Sequence, residues 1–113
     1  MKDECGCAIT RKYASEFLMK RMYNRPKGKE IGDVKIDESR WFKLYFDGEK
    51  ITYRSSECPI VIITLEALCE AFEEKKNLEE FIRSIKGLTI NDIVSKTIKE
   101  FREIVYEKSS LYS

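Results

Sequence analysis

The sequence predicts an α+β domain: an N-terminal helix, two or three antiparallel strands, and then three helices packed on one face of the sheet. The runs WFKLYF and KITYR flank Asp47-Gly48, and Asp-Gly between aromatic or β-branched runs is typical of a two-residue hairpin turn. After Pro59 the apolar residues recur at the spacing of an α-helix instead of alternating. This change of spacing separates the sheet from the helices that cover it.

The elements before the hairpin are predicted from weaker patterns. The N-terminal helix is expected from about Ile9 to Tyr23, because its apolar residues form a broad helical face. Pro26 and Gly28 break that pattern directly afterwards. A short strand at residues 34–36 would add a third strand to the hairpin, which by itself would be only marginally stable.

Three helices are predicted after the hairpin. Pro59 favours the first position of the first helix, whose apolar stripe should be buried. Further apolar residues, Ile60, Ile63 and Ala67, extend the apolar surface, so the first turns should be buried on more than one side. The stripe comprises Val61, Leu65, Leu68, Cys69 and Phe72, with Glu66, Glu70 and Glu73 grouped beside it. A short helix from Leu78 to Ile85 stops at Gly87. Thr89 with Asp92 forms a loose capping box that would start the last helix.

Length and charge indicate one domain with a soluble surface. We expect residues 1–8 to form a flexible tail and residues 9–113 the domain, since 113 residues can bury a single core. The 21 basic and 20 acidic side chains nearly cancel, which argues against nucleic acid or an anionic membrane as a partner. No apolar stretch is long enough to span a bilayer and acidic residues precede any apolar run, so we expect a cytoplasmic protein.

The chain contains no histidine. This removes the usual general base, the Ser-His and Cys-His catalytic pairs, and mixed Cys/His zinc sites. The four cysteines are therefore the main candidates for chemistry, and in the cytosol we expect them to be reduced.

Two of the cysteines belong to the helix that starts at Pro59, one directly before it and one inside it. Cys58 is its candidate N-cap residue, where free N–H groups and the helix dipole stabilise a thiolate, although the neighbouring Glu57 opposes this effect. The alternative for Cys58 is a buried, inert cysteine. Cys69 lies inside the apolar stripe and is predicted to pack in the core. It lies about 16 Å along the helix from Cys58, too far for a disulfide or a shared cluster.

The other two cysteines, Cys5 and Cys7, form a Cys-Gly-Cys sequence in the tail. Two thiols can bind a soft metal such as iron or zinc, but a site needs further ligands. Cys58 would supply a third thiolate if the tail folds back. The alternative is an unliganded tail, which the short spacing favours.

A mild basic cluster with interleaved tyrosines spans residues 11–29. Such a cluster can bind RNA or an acidic partner, but a solvated helix face accounts for it more simply.

Three short stretches resemble the NifU/IscU family of iron–sulfur cluster scaffolds. The sequence YNRPKG at residues 23–28 is similar to the family's Tyr-x-Asn-Pro-Arg-Asn, and the strands at residues 43–53 resemble its Lys-Leu hairpin. SECP at residues 56–59 and LTINDI at residues 88–93 follow in the order of its Gly-Cys helix and its Asn-x-Asp-Ile segment. The resemblance covers about residues 10–98 and implies the SufE/NifU fold.

The resemblance also implies a cluster site on three cysteines and an aspartate, of which only the middle cysteine has a counterpart, Cys58. An ungapped alignment puts residues 38–40 at the family's Cys-Gly-Asp, and a gapped one puts residues 31–33 there, which makes Asp33 a further candidate ligand. The family's third cysteine has no counterpart between Ser95 and Ser113. The resemblance also implies a cysteine desulfurase or an apo iron–sulfur protein as the partner.

These observations lead to two main hypotheses of different classes, and to a third, salt-dependent RNA binding through the basic first helix, which ranks last because the net charge is only +1. In the first, the chain is a NifU/IscU-like protein of iron–sulfur cluster assembly or sulfur trafficking, a scaffold or carrier rather than an enzyme. Cys58 then binds iron, zinc, an iron–sulfur cluster or a persulfide, with Cys5 and Cys7 as additional ligands. In the second, the chain is a non-catalytic interaction module that keeps the scaffold fold without its cluster site.

Overall fold

The computed structural model describes residues 13–19 and 21–109, and it confirms the α+β fold class. The predicted tail, with Cys5 and Cys7, lies outside the described residues. The elements are α1 (Ala14–Met19), β1 (Lys29–Lys35), β2 (Trp41–Phe46), β3 (Ile51–Ser55), α2 (Pro59–Glu73), α3 (Leu78–Arg83) and α4 (Asp92–Ser109). This is the predicted order of one helix, three strands and three helices.

The three strands form an antiparallel sheet in the order β1-β2-β3. The last paired residues of β2 and β3 are Phe46 and Ile51, so residues 47–50 connect the strands where the sequence predicted a two-residue turn. Asp47 Oδ1 accepts hydrogen bonds from the N–H groups of Glu49 and Lys50 at 2.9 and 2.8 Å. Gly48 adopts a φ of +101°, which favours glycine. The Asp-Gly pair takes part in the turn, but only Gly48 lies at its tip. Asp47 lies one residue before the tip and closes the turn with its side chain.

The predicted third strand exists and starts earlier, at Lys29. A bulge interrupts its pairing between Glu30 and Gly32. Gly32 is required by packing, since a Cβ there would lie 2.5 Å from Cδ1 of Ile104 on α4. Because this strand contains a glycine and several charged residues, its sequence does not show the alternation of apolar and polar residues that predicts a strand.

The sheet has one face in the core and one face toward solvent. The inward side chains are buried beneath the helices: Val34, Phe42, Leu44, Phe46, Ile51 and Tyr53. Residues between them in sequence, such as Trp41 and Arg54, point to the other face. This alternation is that of a sheet covered by helices on one face only.

Helix α2 is the centre of the fold. Every residue from Val61 to Ala71 is buried, so the burial on more than one side that was expected for the first turns extends along most of the helix. Glu66 is 0 % exposed, and its carboxylate accepts hydrogen bonds from the N–H groups of Met22 and Tyr23, both at 3.0 Å, and from the Tyr53 hydroxyl at 2.9 Å. Burial and the Glu66 carboxylate raise the pKa of Tyr53, so the phenol stays protonated and donates.

The first helix is also shorter than predicted, and the same hydrogen bonds explain why. α1 is described as Ala14–Met19 and Arg21 is no longer helical, so the prediction that it reaches Tyr23 is wrong. The N–H groups of Met22 and Tyr23 bind the Glu66 carboxylate instead of helical carbonyl groups. A tertiary contact therefore overrides the local helical pattern.

The start of the last helix differs from the prediction as well. Asn91 caps it, since its Oδ1 accepts a hydrogen bond from the N–H of Val94 at 3.0 Å. The capping box from Thr89 to Asp92 is therefore wrong, and Asp92 is the first helical residue. Within the part of the chain that the structure describes, no helix is both long and apolar enough to cross a membrane.

Candidate functional site

Cys58 lies where β3 gives way to α2. It is the N-cap residue, with extended backbone angles (φ −108°, ψ 115°), and its carbonyl accepts the first helical hydrogen bond from Ile62 N at 2.9 Å. Pro59 follows at the first helical position, as predicted. The thiol is half-buried rather than enclosed in the core.

The turn between β1 and β2 brings a cation to this thiol. Arg40 donates a hydrogen bond from Nε to Cys58 Sγ at 3.3 Å. The same guanidinium donates from Nη1 to Asp37 Oδ2 at 2.6 Å. Arg40 thus links the thiol to a carboxylate and leaves the sulfur beside a positive charge.

Asp37 shapes the turn that holds Arg40. Its Oδ1 accepts hydrogen bonds from the N–H groups of Ser39 and Arg40 at 3.0 and 2.9 Å. The Arg40 carbonyl in turn accepts from Ile36 N at 2.8 Å, which closes the turn. The hydrogen bond from Ser39, followed by the bond from the Arg40 side chain, lowers the pKa of Asp37. The carboxylate therefore stays charged and keeps the guanidinium oriented.

A second set of bonds ties the β1–β2 turn to the segment before Cys58. Ser56 donates its N–H to the Trp41 carbonyl at 3.0 Å, and Trp41 donates its N–H to Ser56 Oγ at 3.2 Å. Trp41 follows Arg40 and Ser56 lies two residues before Cys58. These hydrogen bonds therefore hold the segment that carries Arg40 next to the segment that carries Cys58, and this fixes the distance between the guanidinium and the sulfur.

Opposing effects act on the Cys58 thiol, and their sum lowers its pKa. Burial would raise the pKa, but the backbone N–H groups of Val61 and Ile60 and the Arg40 guanidinium outweigh it. The side chain makes no full cap hydrogen bond, so the two N–H groups act mainly through their field at the helix N-terminus. The prediction of a partly activated thiol at this helix end agrees with the direction of the shift.

The predicted opposition from Glu57 is weakened by a partner. Glu57 Oε1 lies 3.3 Å from Nη1 of Arg21, and the glutamate side chain is 79 % exposed. Its charge is shared with a cation and screened by solvent. Burial is the first of the effects that oppose ionisation of Cys58.

The other predicted candidates lie elsewhere. Cys69 is fully buried in the core, as predicted. Asp33 is exposed in the middle of β1, opposite Lys43, and does not belong to the turn that carries Arg40. Within residues 13–19 and 21–109, no group of three or more Cys, Asp or Glu side chains is arranged to hold a metal ion.

The sequence prediction missed two members of this site, Arg40 and Asp37. Both lie in the connection between predicted strands, and an arginine three residues after an aspartate is common enough to carry no signal alone. The ungapped alignment did put residues 38–40 at the family's first cysteine motif. In this chain that connection supplies a cation instead of a thiol.

Comparison with known proteins finds no relative of this chain. No family model matches the chain, and neither the curated proteins nor the solved structures contain a match. Its function is therefore argued from its own residues.

Proposed function

We propose that this protein is a sulfur carrier of the iron–sulfur or sulfur-trafficking type, in which Cys58 accepts a sulfur atom as a persulfide. The observation that carries the proposal is the hydrogen bond from Arg40 Nε to Cys58 Sγ at a helix N-terminus. A thiolate is the nucleophile of sulfur transfer, and both features favour the thiolate over the thiol. The partial exposure of Cys58 leaves the sulfur open to a donor.

The transfer step is balanced without an added oxidant. The Cys58 thiolate attacks the outer sulfur of a persulfide, R–S–SH, on a donor. A bond forms between Sγ and that sulfur, the donor's S–S bond breaks, and the donor leaves as the thiolate R–S⁻. The product, Cys58–S–SH, is acidic, and its terminal sulfur anion would be stabilised by the same guanidinium.

A persulfide suits these residues better than a metal or a cluster. A guanidinium within hydrogen-bond distance of Sγ repels a metal cation at the same sulfur. The family's cluster needs three cysteines and an aspartate, whereas the described residues offer Cys58 alone at this site. Iron, zinc or a cluster would have to recruit Cys5 and Cys7, which lie outside the described residues.

The resemblance to NifU/IscU scaffolds suggests the partners that such a carrier needs. A cysteine desulfurase carries its sulfur as a persulfide, the class of donor used in the step above. An apo iron–sulfur protein, or a scaffold serving it, would be the acceptor.

The deciding experiment loads the full chain with glutathione persulfide under anaerobic conditions and locates the added sulfur by mass spectrometry of peptides. We expect one extra sulfur on Cys58, and none on that peptide in Cys58→Ser. Cys69→Ala and a Cys5→Ser/Cys7→Ser double variant serve as matched controls and should load as the wild type does. Loading at Cys5 or Cys7 instead of Cys58 would overturn the assignment.

A parallel reconstitution with iron and sulfide separates the remaining alternatives. Absorbance of a cluster that disappears in both Cys58→Ser and Cys5→Ser/Cys7→Ser would favour the scaffold version over the carrier. A protein that neither loads sulfur nor binds metal, and whose Cys58 alkylates no faster than a free thiol, would be the non-catalytic interaction module.

A further inference from the structure

The solvent side of the sheet carries aromatic and basic side chains that the sulfur-carrier proposal does not use. We define the outer sheet face by the outward residues of β2 and β3: Trp41, Lys43, Tyr45, Thr52 and Arg54. The helices lie on the opposite face, over the buried side chains of the same strands. On the outer sheet face Trp41 and Arg54 are exposed, Lys43 and Tyr45 are half-buried, and Thr52 is buried.

Two aromatic side chains stand on one strand of this face with a cation between them. Trp41 and Tyr45 lie on β2 with Lys43 midway, all pointing to the same side. Four residues of strand separate the two rings by about 13 Å. Trp41 is 38 % exposed, which is high for a tryptophan in the central strand of a sheet.

Basic residues continue from this strand across β3. Lys43 pairs with Arg54 in the sheet, and neither side chain makes an ion pair with any described residue. Two acidic residues of the same face, Glu30 and Asp33, lie on the neighbouring strand β1 directly opposite Tyr45 and Lys43, and Lys35 of β1 lies opposite Trp41. On β2 and β3 themselves the charged residues of this face, Lys43 and Arg54, are both basic, although the chain as a whole is nearly neutral.

The loop after α1 adds further cations at the edge of β3. The Tyr23 carbonyl accepts a hydrogen bond from Tyr53 N at 2.9 Å, and Lys27 donates its N–H to Thr52 Oγ1 at 3.2 Å. The loop thereby carries Arg25 and Lys27, the loop part of the basic cluster seen in the sequence, to the free edge of β3. Arg25 makes no ion pair with the described residues, and Lys27 Nζ lies 3.6 Å from Asp47.

A depression of about 270 Å³ lies at this border. Arg25, Lys27 and Lys50 line it, and so does Glu73 of α2, which lies 3.6 Å from Lys50 Nζ. Because Lys27 and Lys50 each have an acidic partner, Arg25 is the cation of this depression that makes no ion pair with the described residues. Rings followed by cations are the arrangement with which proteins hold a single strand of nucleic acid.

We propose that the outer sheet face, together with Arg25 and Lys27, binds single-stranded nucleic acid. Bases stack on Trp41 and Tyr45, while Lys43, Arg54 and Arg25 contact phosphates. Stacking tolerates any base, so the site is not selective for sequence. An acidic polypeptide would use the cations but leave the rings without a matching group, and this favours the nucleic acid. The near-neutral total charge argues against duplex binding, which depends on many phosphate contacts, but not against a local surface of this kind.

The test uses the full chain and an oligo(dT) of about 12 nucleotides. Trp41 is the only tryptophan in the chain, so its fluorescence reports directly on this surface. We expect quenching at low salt that weakens as salt is added. Tyr45→Ala should lower the affinity about ten-fold. Lys43→Ala and Arg54→Ala should each reduce the slope of log K against log salt by roughly 0.7. Oligo(rU) in place of oligo(dT) shows whether RNA or DNA is preferred.

Matched controls come from α4, on the other side of the molecule. Tyr106→Ala and Lys99→Ala remove an exposed ring and an exposed cation and should leave the affinity unchanged. Trp41→Phe, followed by the anisotropy of a labelled oligonucleotide, should still bind. The proposal is overturned if no binding occurs at low salt, if the α4 variants weaken it equally, or if polyglutamate or duplex DNA competes as well as the single strand.

Discussion

Arg40 donates a hydrogen bond from Nε to Sγ of Cys58 over 3.3 Å, although 18 residues separate the two in the chain. The contact exists because the β1–β2 turn and the start of α2 meet at the same end of the sheet. It joins the two elements through an ionisable group. The protonation state of Cys58 is therefore coupled to the geometry of the turn.

The first prediction concerns Arg40→Met. Removing the cation takes away part of what stabilises the thiolate, so the pKa of Cys58 should rise toward its ordinary value of 9.0. The rate of iodoacetamide alkylation at Cys58, followed as a function of pH, should shift to higher pH. Arg83→Met removes an exposed arginine from α3 and is the control. An unchanged profile in Arg40→Met would show that the Arg40 contact does not act on the thiol.

The same contact predicts how stability depends on pH. The folded pKa of Cys58 lies below the unfolded one, so the ionised thiol adds stability that is fully present above the unfolded pKa. This stability is lost as the pH falls through the folded value. Chemical denaturation of the wild type and of Cys58→Ser should therefore show a difference in unfolding free energy that grows as the pH rises toward 9.0.

A further prediction concerns Asp37, whose carboxylate orients Arg40. The Ser39 N–H and the Arg40 side chain lower the pKa of Asp37, so it should titrate below its ordinary value of 3.8 in a carboxyl NMR titration. Asp37→Asn should raise the pKa of Cys58 by less than Arg40→Met does, because the guanidinium remains but is no longer held. Asp33→Asn changes an exposed aspartate of β1 and should have no effect on the thiol. A larger effect from Asp37→Asn than from Arg40→Met would contradict this order of roles.

Local patterns in the sequence were sufficient for much of this fold. Asp47-Gly48 between two alternating runs marks the hairpin, and Pro59 before a long apolar run marks the start of α2. Cys69 within that run is buried, as its position predicts. These features depend on neighbours within a few residues, which a single sequence displays.

The remaining features depend on contacts between distant segments. Glu66, Glu70 and Glu73 share one side of a helix, which indicates a solvated face, yet Glu66 is enclosed because the loop after α1 packs over it. The contact of Arg40 with Cys58 arises from the sheet register in the same way. Neither contact has a signature in sequence spacing.

The packing of β1 on α4 gives a prediction about Gly32. An alanine Cβ there would lie 2.5 and 2.9 Å from Cδ1 and Cγ2 of Ile104, so the Ile104 side chain or one of the two elements must shift. We expect Gly32→Ala to lower the unfolding free energy by about 1–3 kcal/mol in urea denaturation. Adding Ile104→Val removes the nearest methyl group and should recover part of the loss, whereas Ile104→Val alone should be destabilising.

The last prediction concerns the buried carboxylate of Glu66. In Glu66→Ala the N–H groups of Met22 and Tyr23 and the Tyr53 hydroxyl lose their acceptor in the core, so the unfolding free energy should fall by about 3 kcal/mol or more. Glu66→Gln keeps the shape but turns one acceptor oxygen into a donor, and should cost about 1–2 kcal/mol. Glu103→Ala, an exposed glutamate of α4, should change stability by less than about 0.5 kcal/mol. Equal losses in Glu66→Ala and Glu103→Ala would mean that the carboxylate does not hold the loop after α1 to α2.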